Sequence, residues 1–144
     1  MIKTYRGKLE DGDQAQIRLS TPQGKIGYKI KKFELMPPSP GAAGQESVVK
    51  IFRMEQTAVD GLVDFDDSTL LAAAFGSTMT GEPSVHPQTL SVIFDSAIVN
   101  QDIFVTHSEV NGSVACNYYV ELEQVKLTEE EALVEIVKNL RAQP

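Results

Sequence analysis

The amino-acid sequence predicts an all-β protein, an antiparallel β-sandwich of jelly-roll-like type with one C-terminal amphipathic helix. Two observations lead there. About eight short segments carry strand periodicity, separated by turn signals and with no strand–helix alternation, which favours a sandwich over any α/β fold. The closing stretch then changes period. Tyr118 to Leu122 alternates apolar residues with Glu, whereas Leu133, Ile136, Val137 and Leu140 fall at i, i+3, i+4 and i+7. Thr128, with Glu131 three residues on, forms a capping box, so a helix is expected to begin there and to dock by those four apolar residues. The expected organisation is a single domain, 1–144, with the sandwich over about 1–126 and the helix over about 128–142.

Ile2 to Leu9 is the first strand, and Glu10-Asp11-Gly12-Asp13 is a turn with the Asp-Gly hairpin signal. Gln16 to Ser20 alternates cleanly and is expected to pair back on the first strand. Thr21-Pro22-Gln23-Gly24 turns the chain again. Between Lys25 and Met36, the residues Ile26, Tyr28 and Ile30 share a face, after which the apolar phase slips by one to Phe33 and Leu35. A slip of one residue flips every later side chain, which predicts a β-bulge near Lys31-Lys32. The Pro- and Gly-rich segment 37–46 cannot hold ladder hydrogen bonds and reads as a loop. Ser47 to Met54 is a strand, Thr69 to Phe75 an apolar run without clear alternation that is read as a buried strand over the alternative of a helical turn, and 76–88 a second long loop. Leu90 to Phe94 and Ile103 to His107 are strands, and Asn111-Gly112-Ser113 turns the chain into the last one.

With 144 residues the chain can bury roughly 68–70% of its unfolded surface, so a core can form without staples. The single Cys116 cannot make an internal disulfide and reads as a small buried apolar residue. A net charge of −7 argues against a nucleic-acid partner, because phosphate neutralisation supplies most of that affinity. Lys25, Lys29, Lys31 and Lys32 run against that trend locally and read as a solvated face that discourages edge-to-edge pairing. The first residues lack the apolar core of a signal peptide, and no run approaches the ~18 apolar residues of a membrane span. A chain made and kept in the cytosol, or assembled there into something larger, with no membrane partner, is therefore expected.

Nothing in the sequence announces catalysis. Asp60, Asp64, Asp66 and Asp67 are the best metal candidates, since calcium takes clustered oxygen ligands from a flexible loop. Their spacing does not match the EF-hand pattern, and the expectation is no metal and no cofactor. His86 and His107 lack zinc-ligand spacing. His107 and Ser108 are adjacent on a strand and point to opposite faces, so they cannot form a nucleophile–base pair. The chain is read as not an enzyme. Binding is the use left for the two long loops, which offer Met36, Pro37, Pro38 and Pro40 in or beside one and Met79, Pro83 and Pro87 in or beside the other.

Several phrases carry a family resemblance when taken in order. Gly27-Tyr28-Lys29-Ile30-Lys31-Lys32-Phe33 precedes the Pro-rich loop, and Val92-Ile93-Phe94-Asp95 follows it. Then come Asn100-Gln101-Asp102-Ile103-Phe104-Val105-Thr106-His107 and Cys116-Asn117-Tyr118-Tyr119-Val120-Glu121-Leu122-Glu123. Together they resemble small virion structural proteins of marine tailed bacteriophages. The resemblance implies a non-enzymatic particle component, made in the host cytoplasm and located in the virion. It would be an oligomeric capsid-decoration or other particle-surface subunit. Its expected partners are itself and other virion proteins, the major capsid protein first. The alternative is a tail- or fibre-associated module for carbohydrate or receptor recognition, which the absence of Trp and an aromatic content of 7% weaken.

Overall fold

The computed structural model describes residues 1–39, 44–77 and 89–141. Eight strands and one helix follow one another: β1 (Ile2–Leu9), β2 (Gln14–Ile17), β3 (Ile26–Met36), β4 (Glu46–Phe52), β5 (Leu70–Ser77), β6 (Thr89–Phe94), β7 (Ile103–Glu109), β8 (Cys116–Lys126) and α1 (Glu129–Arg141). They build a three-stranded sheet in the order β1-β8-β3 and a five-stranded sheet in the order β2-β7-β4-β5-β6. Every strand pairing is antiparallel. The expected class, two antiparallel sheets and a C-terminal helix, is what forms. β6 adds to β5 and so lengthens the larger sheet rather than the smaller.

Alternation along β8 explains the core. Cys116, Tyr118, Val120 and Leu122 point inward and are buried, and they share one cluster with Val49, Ile51, Ile103 and Val105 of the facing sheet. The predicted bulge is present. Ile30 pairs with Leu122 and Lys32 with Glu121, which leaves Lys31 as the extra residue. The bulge lets both Ile30 and Phe33 face inward despite the slipped phase, and both are buried.

β4 is buried on both faces, which sequence alternation alone does not provide. Val48, Lys50 and Phe52 point away from the core yet are covered. The cover is the connection 53–69. It is tied down by Gln14, whose side-chain amide donates to the carbonyl of Gln56 at 3.1 Å and accepts from its N–H at 2.8 Å. It also runs close enough that a Cβ on Gly61 would lie 2.4 Å from Val110 Cγ1, so a larger residue there would have to displace the exposed Val110 side chain.

Two expectations are corrected. β2 does not pair back on β1: β1 lies along β8 and β2 along β7. The Asp-Gly turn instead carries the chain between sheets. The N–H of Gly12 donates to the carbonyl of His107 at 2.8 Å, and the N–H of Glu109 donates to Asp11 Oδ1 at 2.9 Å, which draws the turn onto β7. Crossing over lets Leu9 and Ile17 enter one core from opposite sides.

The helix face is the second correction. Leu133 and Leu140 are 62% and 59% exposed, while Ile136 and Val137 are half-buried. The fully buried residue is Ala132. Docking is set by Asn100, whose side-chain amide donates to the carbonyls of Gly24 and Ala132 at 2.9 and 3.1 Å. A short residue at 132 lets that backbone come close, and Ile136 then reaches the Gly24 turn. The capping box is in place: the N–H of Glu131 donates to Thr128 Oγ1 at 3.2 Å, and the N–H of Thr128 to Glu131 Oε1 at 3.3 Å.

Candidate interaction surface

The sheet registers bring the roots of both long loops to one end of the sandwich. Glu46 pairs with Ser77, and Ser77 with Thr89, so the strand ends that flank the two segments lie side by side at one end of the larger sheet. Met36 pairs with Asn117 at the matching end of the smaller sheet. Gln45 fastens the two sheets there, its side-chain amide donating to the carbonyl of Ala115 and to Ser47 Oγ, both at 3.0 Å.

Of the seven residues expected to make contacts, the structure describes three. Met36 is 61% exposed, Pro38 is exposed and Pro37 is buried. Pro40, Met79, Pro83 and Pro87 lie outside the described residues.

Met36 borders an open cleft of about 760 Å³ over the outer face of the smaller sheet. The outward-facing Arg6, Lys8, Lys32, Glu34, Asn117 and Tyr119 also line it. The pairing Arg6–Tyr119–Glu34, next to Lys8–Asn117–Met36, puts six of these side chains in two adjacent rows, with Lys32 in the row beyond, opposite Glu121. Lys32 is engaged by Glu34 at 3.5 Å. Among the described residues no carboxylate reaches Arg6 or Lys8, so the cleft keeps two free cations on a chain of net charge −7. Tyr119 donates its hydroxyl to Glu121 at 2.9 Å, and that hydrogen bond raises the phenol pKa and keeps it a donor. Glu123, on the same outer face, is held charged first by its hydrogen bond to Lys31, which lowers its pKa.

Sequence reading did not single out Arg6, Lys8, Asn117 and Tyr119. The alternation signal could have found them. If Tyr5 and Leu9 face the core, Arg6 and Lys8 share the outward face, and β8 places Asn117 and Tyr119 opposite them.

The aspartate cluster is differently employed. Asp60 Oδ1 accepts from Lys50 Nζ at 3.0 Å, which lowers its pKa. Asp64 accepts the N–H of Asp66 at 2.9 Å, and Asp67 accepts both the N–H and the hydroxyl of Thr69 at 2.8 and 2.7 Å. These are turn-closing bonds within the segment. Among the described residues no group of three or more His, Cys, Asp and Glu side chains is arranged to hold a metal ion.

Cys116 and His107 are both buried. Burial pushes the Cys116 thiol pKa up and keeps it neutral, the opposite of what a nucleophile needs. His107 Nδ1 lies 3.0 Å from the carbonyl of Leu9, where it serves as a donor to the end of β1. His86 lies outside the described residues.

Comparison with protein-family models and with curated proteins found no match.

Proposed function

We propose that the chain is a non-enzymatic virion structural protein of a tailed bacteriophage, an oligomeric capsid-decoration or other particle-surface subunit. Its partners are further copies of itself and other virion proteins, the major capsid protein first. The observation that carries the reading is the gathering of both long-loop roots, exposed Met36 and the Arg6–Lys8 cleft at one end of an eight-stranded scaffold. Such an end can seat on a neighbour while the rest of the sandwich stays on the outside. Two free cations there suit an acidic protein surface and would steer its approach. The sequence resemblance to small phage virion proteins supplies the particle context.

Mass spectrometry of purified virions tests this directly. The chain is expected in many copies per particle, and a variant with 37–46 replaced by a short Gly-Ser turn is expected to lose occupancy. Absence from the particle overturns the reading.

The second reading is a tail- or fibre-associated module that recognises carbohydrate or a receptor. Tyr119 beside Asn117 and Arg6 in one open cleft favours it, because sugars stack on aromatic faces and bond polar side chains. A copy number matching the tail rather than the shell would select this reading.

A further inference from the structure

β6 ends the five-stranded sheet, and its outer edge is bare among the described residues. The ladder shows which backbone groups are free. The N–H of Asp95 donates to the carbonyl of Leu71 at 3.0 Å, in the same register that pairs Phe94 with Ala72. Hydrogen-bonded pairs alternate along an antiparallel ladder, so Ser91 and Ile93 turn their N–H and C=O groups to β5. Leu90, Val92 and Phe94 turn theirs outward.

The edge also lacks the devices that protect the other three. β1 carries Lys3, Arg6 and Lys8. β3 has its bulge and three lysines, and Val99 closes it at Tyr28 with bonds of 2.8 and 2.9 Å. β2 is only four residues long. β6, with the sequence Thr-Leu-Ser-Val-Ile-Phe, has no charge, no proline and no break in register. Ile93 is 54% exposed on it, and Phe94 is exposed as well. Charges, prolines, bulges and short length are the usual means by which proteins prevent edge pairing. Here all four are missing from one strand.

We propose that β6 is the strand through which two copies of this chain pair, antiparallel about a two-fold axis at Val92. This deepens the reading of a self-associating subunit and moves the contact from the loops to the strand that follows the second one. The occupant is a second copy because the edge is complementary to itself. With Val92 opposite Val92 of the second copy, Leu90 lies opposite Phe94, and every free N–H meets a free C=O. The register opposes no like charges, although each copy has a net charge of −7. Val92, which packs against the core, then continues that core across the axis. On the outer side Ile93 and Phe65, which border one cavity of about 390 Å³, are brought to the seam. The product is a continuous ten-stranded sheet.

Light scattering on the full chain over a concentration series, combined with residue-resolved amide exchange, tests the pairing. The expected result is a dimer, or a multiple of it, in which the amides of Val92 and Phe94 exchange as slowly as those of Ser91 and Ile93. Val92→Pro removes a donor that β5 does not use, and Ile93→Lys places a charge on the edge. Both are expected to give folded monomers, while Ile2→Lys on the β1 edge leaves the dimer intact. Should the proline variant fail to fold, the lysine variant decides alone. A monomeric wild type at every concentration overturns the proposal. So does an oligomer whose Val92 and Phe94 amides exchange freely and which Ile93→Lys leaves intact. Virion composition reports separately on the particle reading: a virion protein that is monomeric in solution loses only the β6 pairing. A β6-paired dimer absent from virions loses only the particle assignment.

Discussion

Lys50 Nζ stands 3.0 Å from Asp60 Oδ1, with the lysine side chain 8% exposed and the aspartate 56%. The pair is one-sided: the cation has left water and the anion has not. Lys50 also donates to the carbonyl of Leu62 at 2.6 Å, so one ammonium holds segment 53–69 over the outer face of β4. Asp60→Ala is expected to cost about 1–3 kcal/mol, because it strips a buried donor of its charged partner. Lys50→Met should cost less, since it removes the buried charge and leaves Asp60 to solvent. Denaturant unfolding of both variants measures the difference. An equal or larger loss for Lys50→Met contradicts this account.

Calcium should leave the thermal midpoint unchanged, with or without a chelator. A ligand that binds only the folded state must raise the midpoint. Asp60 is paired with the Lys50 ammonium, and Asp64 and Asp67 are closing their own turns. A calcium-dependent rise would show that these bonds give way to the ion.

Acidification should act through Asp102. Burial raises its pKa, but the N–H groups of Ser20 and Leu19 and the side-chain amide of Gln16 outweigh that, and the pKa is lowered. A carboxylate with a depressed folded pKa adds stability at pH values above its unfolded value, and that stability fades as pH falls through the folded value. The stability gap between wild type and Asp102→Ala is therefore expected to be full above about pH 5 and to narrow below about pH 4. Denaturant midpoints measured down the pH series check it; a gap that widens on acidification would reverse the sign.

Asn100 should matter more than any apolar residue of the helix. Its amide bonds two carbonyls, one from the turn at Gly24 and one from the helix at Ala132, and the residue is 1% exposed. Asn100→Ala is expected to cost about 1–3 kcal/mol and to loosen the helix. Asn100→Asp is expected to be worse at neutral pH than in acid, because a carboxylate there would face two carbonyl oxygens. Chemical denaturation at two pH values separates these outcomes.

The exposed helix residues are expected to be quiet. Leu133→Ala should change stability by less than about 0.5 kcal/mol. Thr128→Ala should cost about 1 kcal/mol through the lost cap. A large loss at Leu133 would mean that its face is covered in solution.

The strands, the bulge and the helix start were legible in the sequence because each is a local matter. Period-2 alternation makes β8 a half-buried strand wherever it sits, the one-residue slip after Ile30 requires an extra residue, and Thr128 caps with Glu131 over three residues. Pairing partners were not legible. Leu9 and Ile17 satisfy a hairpin as well as a two-sheet core, and only long-range bonds to β7 choose between them. The helix stripe failed for a related reason: the pattern at Leu133, Ile136, Val137 and Leu140 describes an apolar face, while a buried amide at Asn100 decides which side approaches the sheet. The candidate surface divides the same way. Met36 could be picked out by its place beside a long loop, but the cleft exists only because β1 and β3 flank β8, which sets Arg6 and Lys8 beside Asn117 and Tyr119. Local chemistry fixes what each segment becomes; which segments meet depends on the core they share and on polar groups that must find partners once water is gone.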